Sequence, residues 1–188
     1  MKKIGITGSL ASGKTTASKI ISERRGPLFS ADREVKRLYN KSNFKNLISR
    51  KFKIKSSSNI KKEIIGKIIE KKSNIHKLEK IIHPIIRKKM NDFIKENKGK
   101  KFIFLEIPLL IESKLMKKFD LILFIKAKKA LRLKRFKLKG GNKKLFNILD
   151  KKQLSDEKKI AHCDEVVVNE KNLKILKKRL SAILSRYE

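Results

Sequence analysis

One cysteine, Cys163, stands in the whole 188-residue chain. That excludes an intramolecular disulfide and fits a reducing compartment. Long apolar runs are also missing. No stretch approaches the roughly 18 residues needed to cross a bilayer. The opening Met-Lys-Lys-Ile-Gly-Ile-Thr-Gly is broken by glycine before a secretory apolar region can form, so a cytoplasmic location and no membrane partner are expected. Aromatic residues are only 6%, mostly Phe, too few for the base-stacking platform of a single-strand binder. Acidic residues are scarce as well: 18 Asp and Glu face 52 Lys and Arg, a formal net charge of +34. Such a surface attracts polyanions. The lysines nevertheless run along the entire chain instead of gathering in one stripe, which reads as a solvated coat. No specific nucleic-acid partner is expected, and an anionic small substrate suits the same charge.

Hydrophobic residues at 39% argue against wholesale disorder, and the length suits one domain with a core large enough to need no staple. Lys2 to Thr7 reads as a short buried strand. Gly8 to Gly13 is a small-residue loop, and Lys14 to about Arg24 is helical with Ala17, Ile20 and Ile21 inward, ended by Gly26-Pro27. Leu28 to Ser30 is a second strand, followed by a helix over Arg33 to Tyr39. Residues 41–98 read as helical and polar, with a kink or break at Pro84. Phe102 to Leu105, Leu121 to Ile125 and Val166 to Val168 are further apolar strands. Gly140-Gly141-Asn142 separates two basic helical stretches, and the last helix spans about Asn172 to Arg186. Strands alternating with helices, and apolar without alternation, predict an α/β fold with a parallel sheet covered on both faces. The expected fold class is α/β, with a parallel five-stranded sheet between helical layers.

Gly8-Ser-Leu-Ala-Ser-Gly13-Lys14-Thr15 satisfies G-x-x-x-x-G-K-[ST] completely. Its glycines let successive amides turn toward phosphate oxygens, and the next helix adds the positive end of its dipole. Gly8, Ala11, Ser12, Gly13, Lys14, Thr15 and Thr16 are therefore assigned to ATP, with Lys14 reaching the β- and γ-phosphates and Thr15 offering its hydroxyl to Mg²⁺. A GTPase needs a base-reading N-K-x-D segment, which the chain lacks. A small P-loop protein with an acid after its second strand looks like a small-molecule kinase, with Asp32 orienting or deprotonating the attacking hydroxyl.

Five ordered blocks make the chain resemble the dephospho-coenzyme A kinase family nearly end to end. They are the P-loop opening Ile4 to Thr16; Ser30-Ala31-Asp32, similar to a D-A-D block; and Leu78-Glu79-Lys80-Ile81-Ile82-His83-Pro84 with Arg87. The others are Ile107-Pro108-Leu109-Leu110-Ile111-Glu112, similar to a P-L-L-F-E block, and Gln153, Lys159, Asp164 and Asn169 at the spacing of a closing pattern. The resemblance implies transfer of the ATP γ-phosphate to the 3′-hydroxyl of dephospho-coenzyme A. It also implies a three-layer P-loop core of about 1–31, 99–126 and 157–188, a helical substrate-binding insertion of about 32–98, and a helical lid of about 127–156. The expected assembly is a monomer or a weak homo-oligomer.

On that footing Asp32 is the expected base, although its position also suits a helix N-cap. His83 and Arg87, four apart on one helical face, would meet the acceptor, or simply decorate a surface helix. Glu106 would hold Mg²⁺ through water. Pro108, Leu109 and Leu110 would wall the substrate, or pack the core. Arg132 and Arg135 would close on the phosphates. Asn169 would lie at the adenine edge, or form a turn. Cys163 reads as a buried hydrophobe and not a nucleophile. The chain departs from the pattern at Ser30, which replaces the first acid of its block. It departs again over Leu138 to Leu149, where lysines replace arginines and the lid is a residue shorter.

Overall fold

The computed structural model describes residues 1–54 and 59–187. Strand β1 (Lys2–Gly8) lies at the centre of a five-stranded parallel sheet. Its neighbours are β3 (Phe102–Glu106) and β4 (Leu121–Lys126), with β2 (Leu28–Ser30) and β5 (Glu165–Val168) at the edges. The register pairs Lys2 with Phe102, Ile4 with both Phe104 and Leu121, and Ser30 with Glu106.

Alternate strand residues form one core face: Ile4, Ile6, Phe102, Phe104, Leu121, Leu123, Ile125 and Val167 pack against α1 (Lys14–Ser22) and α9 (Leu173–Leu184). The helices contribute Ala17 and Ile21, and Leu176, Leu180, Ile183 and Leu184. Each such apolar side chain contributes about 1.5–3 kcal/mol by leaving water. On the opposite face Leu110 and Phe119 lie over Gly5, and a side chain at Gly5 would displace them. Among the described residues, the exposed apolar side chains of the strands are Val166 and Val168 of the edge strand β5.

The chain divides into two compact units, Met1–Ser30 with Phe93–Glu188, and Ala31–Asp92. The first also carries a 3₁₀ turn (Met116–Lys118), α6 (Lys129–Leu138), α7 (Lys143–Lys152) and α8 (Asp156–Ile160). Asn142, Ser155 and Asn172 cap α7, α8 and α9 by accepting hydrogen bonds from the amides of Leu145, Lys158 and Ile175.

The second unit comprises α2 (Ala31–Leu38), α3 (Ser42–Phe52), α4 (Ile60–Glu70) and most of α5 (Asn74–Glu96). Leu38, Phe44, Ile48, Phe52, Ile64, Ile68, Ile75 and Ile82 are buried within it, and Tyr39 meets Phe44 edge-on at 5.2 Å. Buried Glu34 accepts from Arg37 at 2.6 Å and Lys89 at 2.8 Å. The helix bounds remove the alternative reading of Asp32 as a cap and, of the kink or break expected at Pro84, the break. Helix α2 begins at Ala31, so Asp32 lies in its first turn and is not its N-cap. Helix α5 runs through Pro84 without a break. The ring removes one backbone bond at a cost of about 3 kcal/mol. Burial of Ile75, Ile82 and Met90, at about 1.5–3 kcal/mol each, exceeds that cost.

Candidate active site

The parallel register delivers the C-terminal ends of β1, β2 and β3 to one edge of the sheet, and the glycine loop opens there. Gly8 has φ 147° and Gly13 φ 98°, while Ala11 takes a left-handed φ of 59°. A Cβ on Gly8 would overlap the Ile125 carbonyl oxygen, and one on Gly13 would overlap the Asn169 amide nitrogen. Only glycine satisfies both the angle and the space. The loop closes through Ser12 N–H donating to Ser9 O at 3.1 Å, and α1 starts through Ala17 N–H donating to Gly13 O at 3.0 Å. Helix α1 has no side-chain N-cap and no acid in its first turn. The helix itself therefore brings no acid to its positive dipole end, an arrangement that receives a phosphate.

Lys14 is buried and lies across the loop, donating to Gly8 O at 3.1 Å and Ser9 O at 2.8 Å. Ser12 is fully buried, and its Oγ makes no hydrogen bond among the described residues. Beside them Glu106 has no exposed surface. Thr15 Oγ1 donates to its Oε1 and Ser30 Oγ to its Oε2, each at 2.6 Å. The register explains the second bond, since Ser30 and Glu106 are direct cross-strand partners. Thus Ser30 holds as a neutral donor the place where the related pattern has an acid. A carboxylate at that position would face Glu106 as a like charge.

Arg132 is buried. Its guanidinium donates to Asp150 Oδ1 at 2.6 Å, Ala127 O at 3.2 Å and Leu10 O at 3.3 Å. Arg135 donates to Ser12 O at 3.1 Å and Asn169 O at 3.0 Å, and buried Asn169 donates from Nδ2 to Ser12 O at 2.9 Å. All three expected residues therefore converge on the loop backbone. Sequence reasoning missed several partners: Asp156, which accepts from the Ser9 hydroxyl; Asp150; and Glu112, which pairs with fully buried Lys159. No spacing rule points to these pairs, because each joins residues far apart in the chain. Among the apolar trio, Leu110 is fully buried over Gly5 and serves packing, while Pro108 and Leu109 are half-buried. The carbonyl of Pro108 accepts from Thr7 Oγ1 at 3.2 Å.

In the second unit Asp32 is exposed in the first turn of α2. His83 and Arg87 share one face of α5 and line an open groove of about 330 Å³ with His76, Glu79, Lys80 and Pro84. The spacing from 76 through 80 and 83 to 87 is helical, a signal present in the sequence that was followed only over its last half. Cys163 is half-buried, a correction to its reading as a buried hydrophobe. Burial and, secondarily, the Asp164 charge push its thiol up to about 12, so it stays protonated and unreactive.

Among the described residues no cluster of three or more His, Cys, Asp or Glu side chains is placed to hold a metal, and no helix is long and apolar enough to cross a membrane. Mg²⁺ prefers hard oxygen ligands and is commonly held by one or two carboxylates together with waters and substrate phosphates. The hard oxygens of Thr15 and Glu106, adjacent to the phosphate loop, fit that donor set.

The family model for dephospho-CoA kinase matches residues 2–174. A dephospho-CoA kinase of Rickettsia conorii is 34% identical over 189 residues, covering 100% of this chain and 98% of its own length. Among solved structures, a Thermus thermophilus protein superposes with a TM-score of 0.78 at 23% identity, covering 100% of this chain and 98% of its own. The dephospho-CoA kinase of Campylobacter jejuni superposes with a TM-score of 0.64 at 24% identity, covering 98% and 96%. The two structural likenesses speak to the fold.

Proposed function

The chain belongs to the dephospho-CoA kinase family and transfers the γ-phosphate of ATP to the 3′-hydroxyl of dephospho-coenzyme A; from that premise we propose how its residues divide the work. The observation that carries the division is the pairing of an uncapped helix N-terminus with a buried carboxylate, Glu106, held by the Thr15 and Ser30 hydroxyls.

The amides from Gly8 to Thr16 hold the phosphates, together with the Ser12 hydroxyl. Lys14 exchanges the carbonyls of Gly8 and Ser9 for β- and γ-phosphate oxygens, and so brings a charge that grows in value as negative charge develops in transfer. Thr15 by its hydroxyl, and Glu106 through water, would hold Mg²⁺, which would offset phosphate charge. Arg132 and Arg135 supply further positive charge from the lid, about 127–156. Asn169 borders the adenine. In the acceptor insertion, about 32–98, His83 and Arg87 bind the anionic substrate, and Pro108 and Leu109 offer it an apolar wall. Asp32 takes the proton from the 3′-hydroxyl as its oxygen bonds to the γ-phosphorus and the bond from that phosphorus to the β–γ bridging oxygen breaks, releasing ADP.

The test is ADP release with dephospho-coenzyme A, with a panel of nucleosides and with no acceptor. Activity with dephospho-coenzyme A alone is expected; activity only with nucleosides would overturn the reading. Asp32→Asn should lower kcat by about 10²–10⁴ while ATP affinity stays near wild type. Near-normal turnover in that variant removes Asp32 from catalysis.

A further inference from the structure

We propose that Lys159 is a positioning residue for phosphoryl transfer. Through Gln153 it fixes the Leu10 amide of the phosphate loop, and through Glu112 it ties that loop to the segment carrying Pro108 and Leu109. The proposal rests on the division of roles given above.

A lysine with no exposed surface is rare and must be paired. The Nζ of Lys159 lies 2.8 Å from Glu112 Oε1 and donates to Gln153 Oε1 at 3.1 Å. The same Gln153 oxygen accepts the Leu10 N–H at 3.2 Å. That sharing is informative, because a glutamine amide presents an acceptor at one end and donors at the other. An ammonium only donates. With Lys159 beside it, the Gln153 oxygen must face inward, and it is then available to Leu10. Without the charge the amide is free to flip and turn its NH₂ group on the Leu10 N–H.

The other arm is equally constrained. Glu112 Oε1 also accepts the Leu154 N–H at 3.2 Å, while its Oε2 is buried and makes no hydrogen bond among the described residues. The carboxylate therefore depends on Lys159 for compensation. Glu112 closes the block that begins at Ile107, and Gln153 and Lys159 open the closing pattern. One buried ammonium joins two motifs that lie more than 40 residues apart, and that connection gives a physical reason for their co-occurrence in the chain.

The alternative is that the pair only stabilises the fold. Two variants separate the possibilities. Lys159→Met with Glu112→Leu replaces the pair by apolar groups, an exchange that is often neutral for stability. Gln153→Leu leaves the Lys159–Glu112 pair in place and removes the one acceptor that the Leu10 N–H and the Lys159 ammonium share. The measurements are thermal melting, calorimetric titration with a nonhydrolysable ATP analogue, and steady-state kinetics for both substrates.

Both variants are expected to melt near wild type, to bind the analogue about tenfold more weakly, and to lose about tenfold or more in kcat, as small displacements of reacting groups do. The KM for dephospho-coenzyme A should rise only in the double variant, because only there is the Pro108 segment released. Wild-type analogue affinity in Gln153→Leu overturns the proposal, as does an equal rise of both KM values in that variant. If the double variant does not fold, Gln153→Leu alone decides. If wild type fails to phosphorylate dephospho-coenzyme A, the assignment of roles falls, while the analogue titration still judges Lys159.

Discussion

Replacing Gly13 by alanine should damage the loop for two reasons that can be separated by experiment. First, φ 98° is a region an L side chain enters at a cost of about 1–2 kcal/mol. Second, the new Cβ would overlap Asn169 Nδ2 and push the amide off Ser12 O. Leaving that buried donor unpaired costs about 1–3 kcal/mol. Alanine also restricts the unfolded chain, which returns about 0.4–1 kcal/mol. Together Gly13→Ala should destabilise by about 2–4 kcal/mol. Asn169→Ala alone removes one hydrogen bond from Ser12 O, which Arg135 still serves at 3.1 Å, so about 1 kcal/mol is expected. In the double variant the obstacle is gone and only the backbone strain remains. The two losses should therefore fall short of additivity by about 1–3 kcal/mol. Urea unfolding of the four proteins gives the cycle, and calorimetry with ATP should show the same non-additivity in affinity. Additivity within about 0.5 kcal/mol would refute the claim that Asn169 is what Gly13 makes room for.

Two further outcomes are expected. A thiol raised from 9.0 to about 12 holds roughly a thousandfold less thiolate, so native Cys163 should react with iodoacetamide about 10³-fold more slowly than in urea; a ratio below about tenfold would contradict its setting. Burial acts upward on the Glu34 carboxyl, but Lys89 and Arg37 outweigh it and hold the pKa below the ordinary 4.5. A depressed carboxylate stabilises fully above its unfolded value and loses that contribution as pH falls through the folded value. The stability gap between wild type and Glu34→Gln, about 1–3 kcal/mol, should thus be flat from neutral pH to about 5 and shrink below 4.5; a gap that widens toward acid contradicts the ion pairs.

The sheet was readable because parallel strands covered on both faces have no reason to alternate, and the runs at Phe102 and Leu121 are apolar throughout. The phosphate loop was readable because its two glycines answer backbone angles that other residues avoid. Asp32 looked like a cap because an acid before a polar helix usually is one, but the preceding Ala31 is buried and takes helical geometry directly after β2. Pro84 looked like a break because local propensity carries no information about burial on either side of the ring. The contacts of Glu112, Gln153 and Lys159 leave no periodic trace, since side chains that meet across a fold obey no spacing. Ser30 stood out only as a departure, and its use became visible with the register that sets it against Glu106.

The central place of β1 has a consequence for synthesis. Its partners begin at Phe102 and Leu121, so during synthesis β1 waits for roughly a hundred residues before it can pair. The strand that leads into the ATP-binding loop stays unpaired until residues 102–106 have been made, whatever the helices in between have done. During that interval Ile4 and Ile6 form a short sticky segment with open edges, and the adjacent Lys2 and Lys3 are placed to discourage it from pairing with another copy.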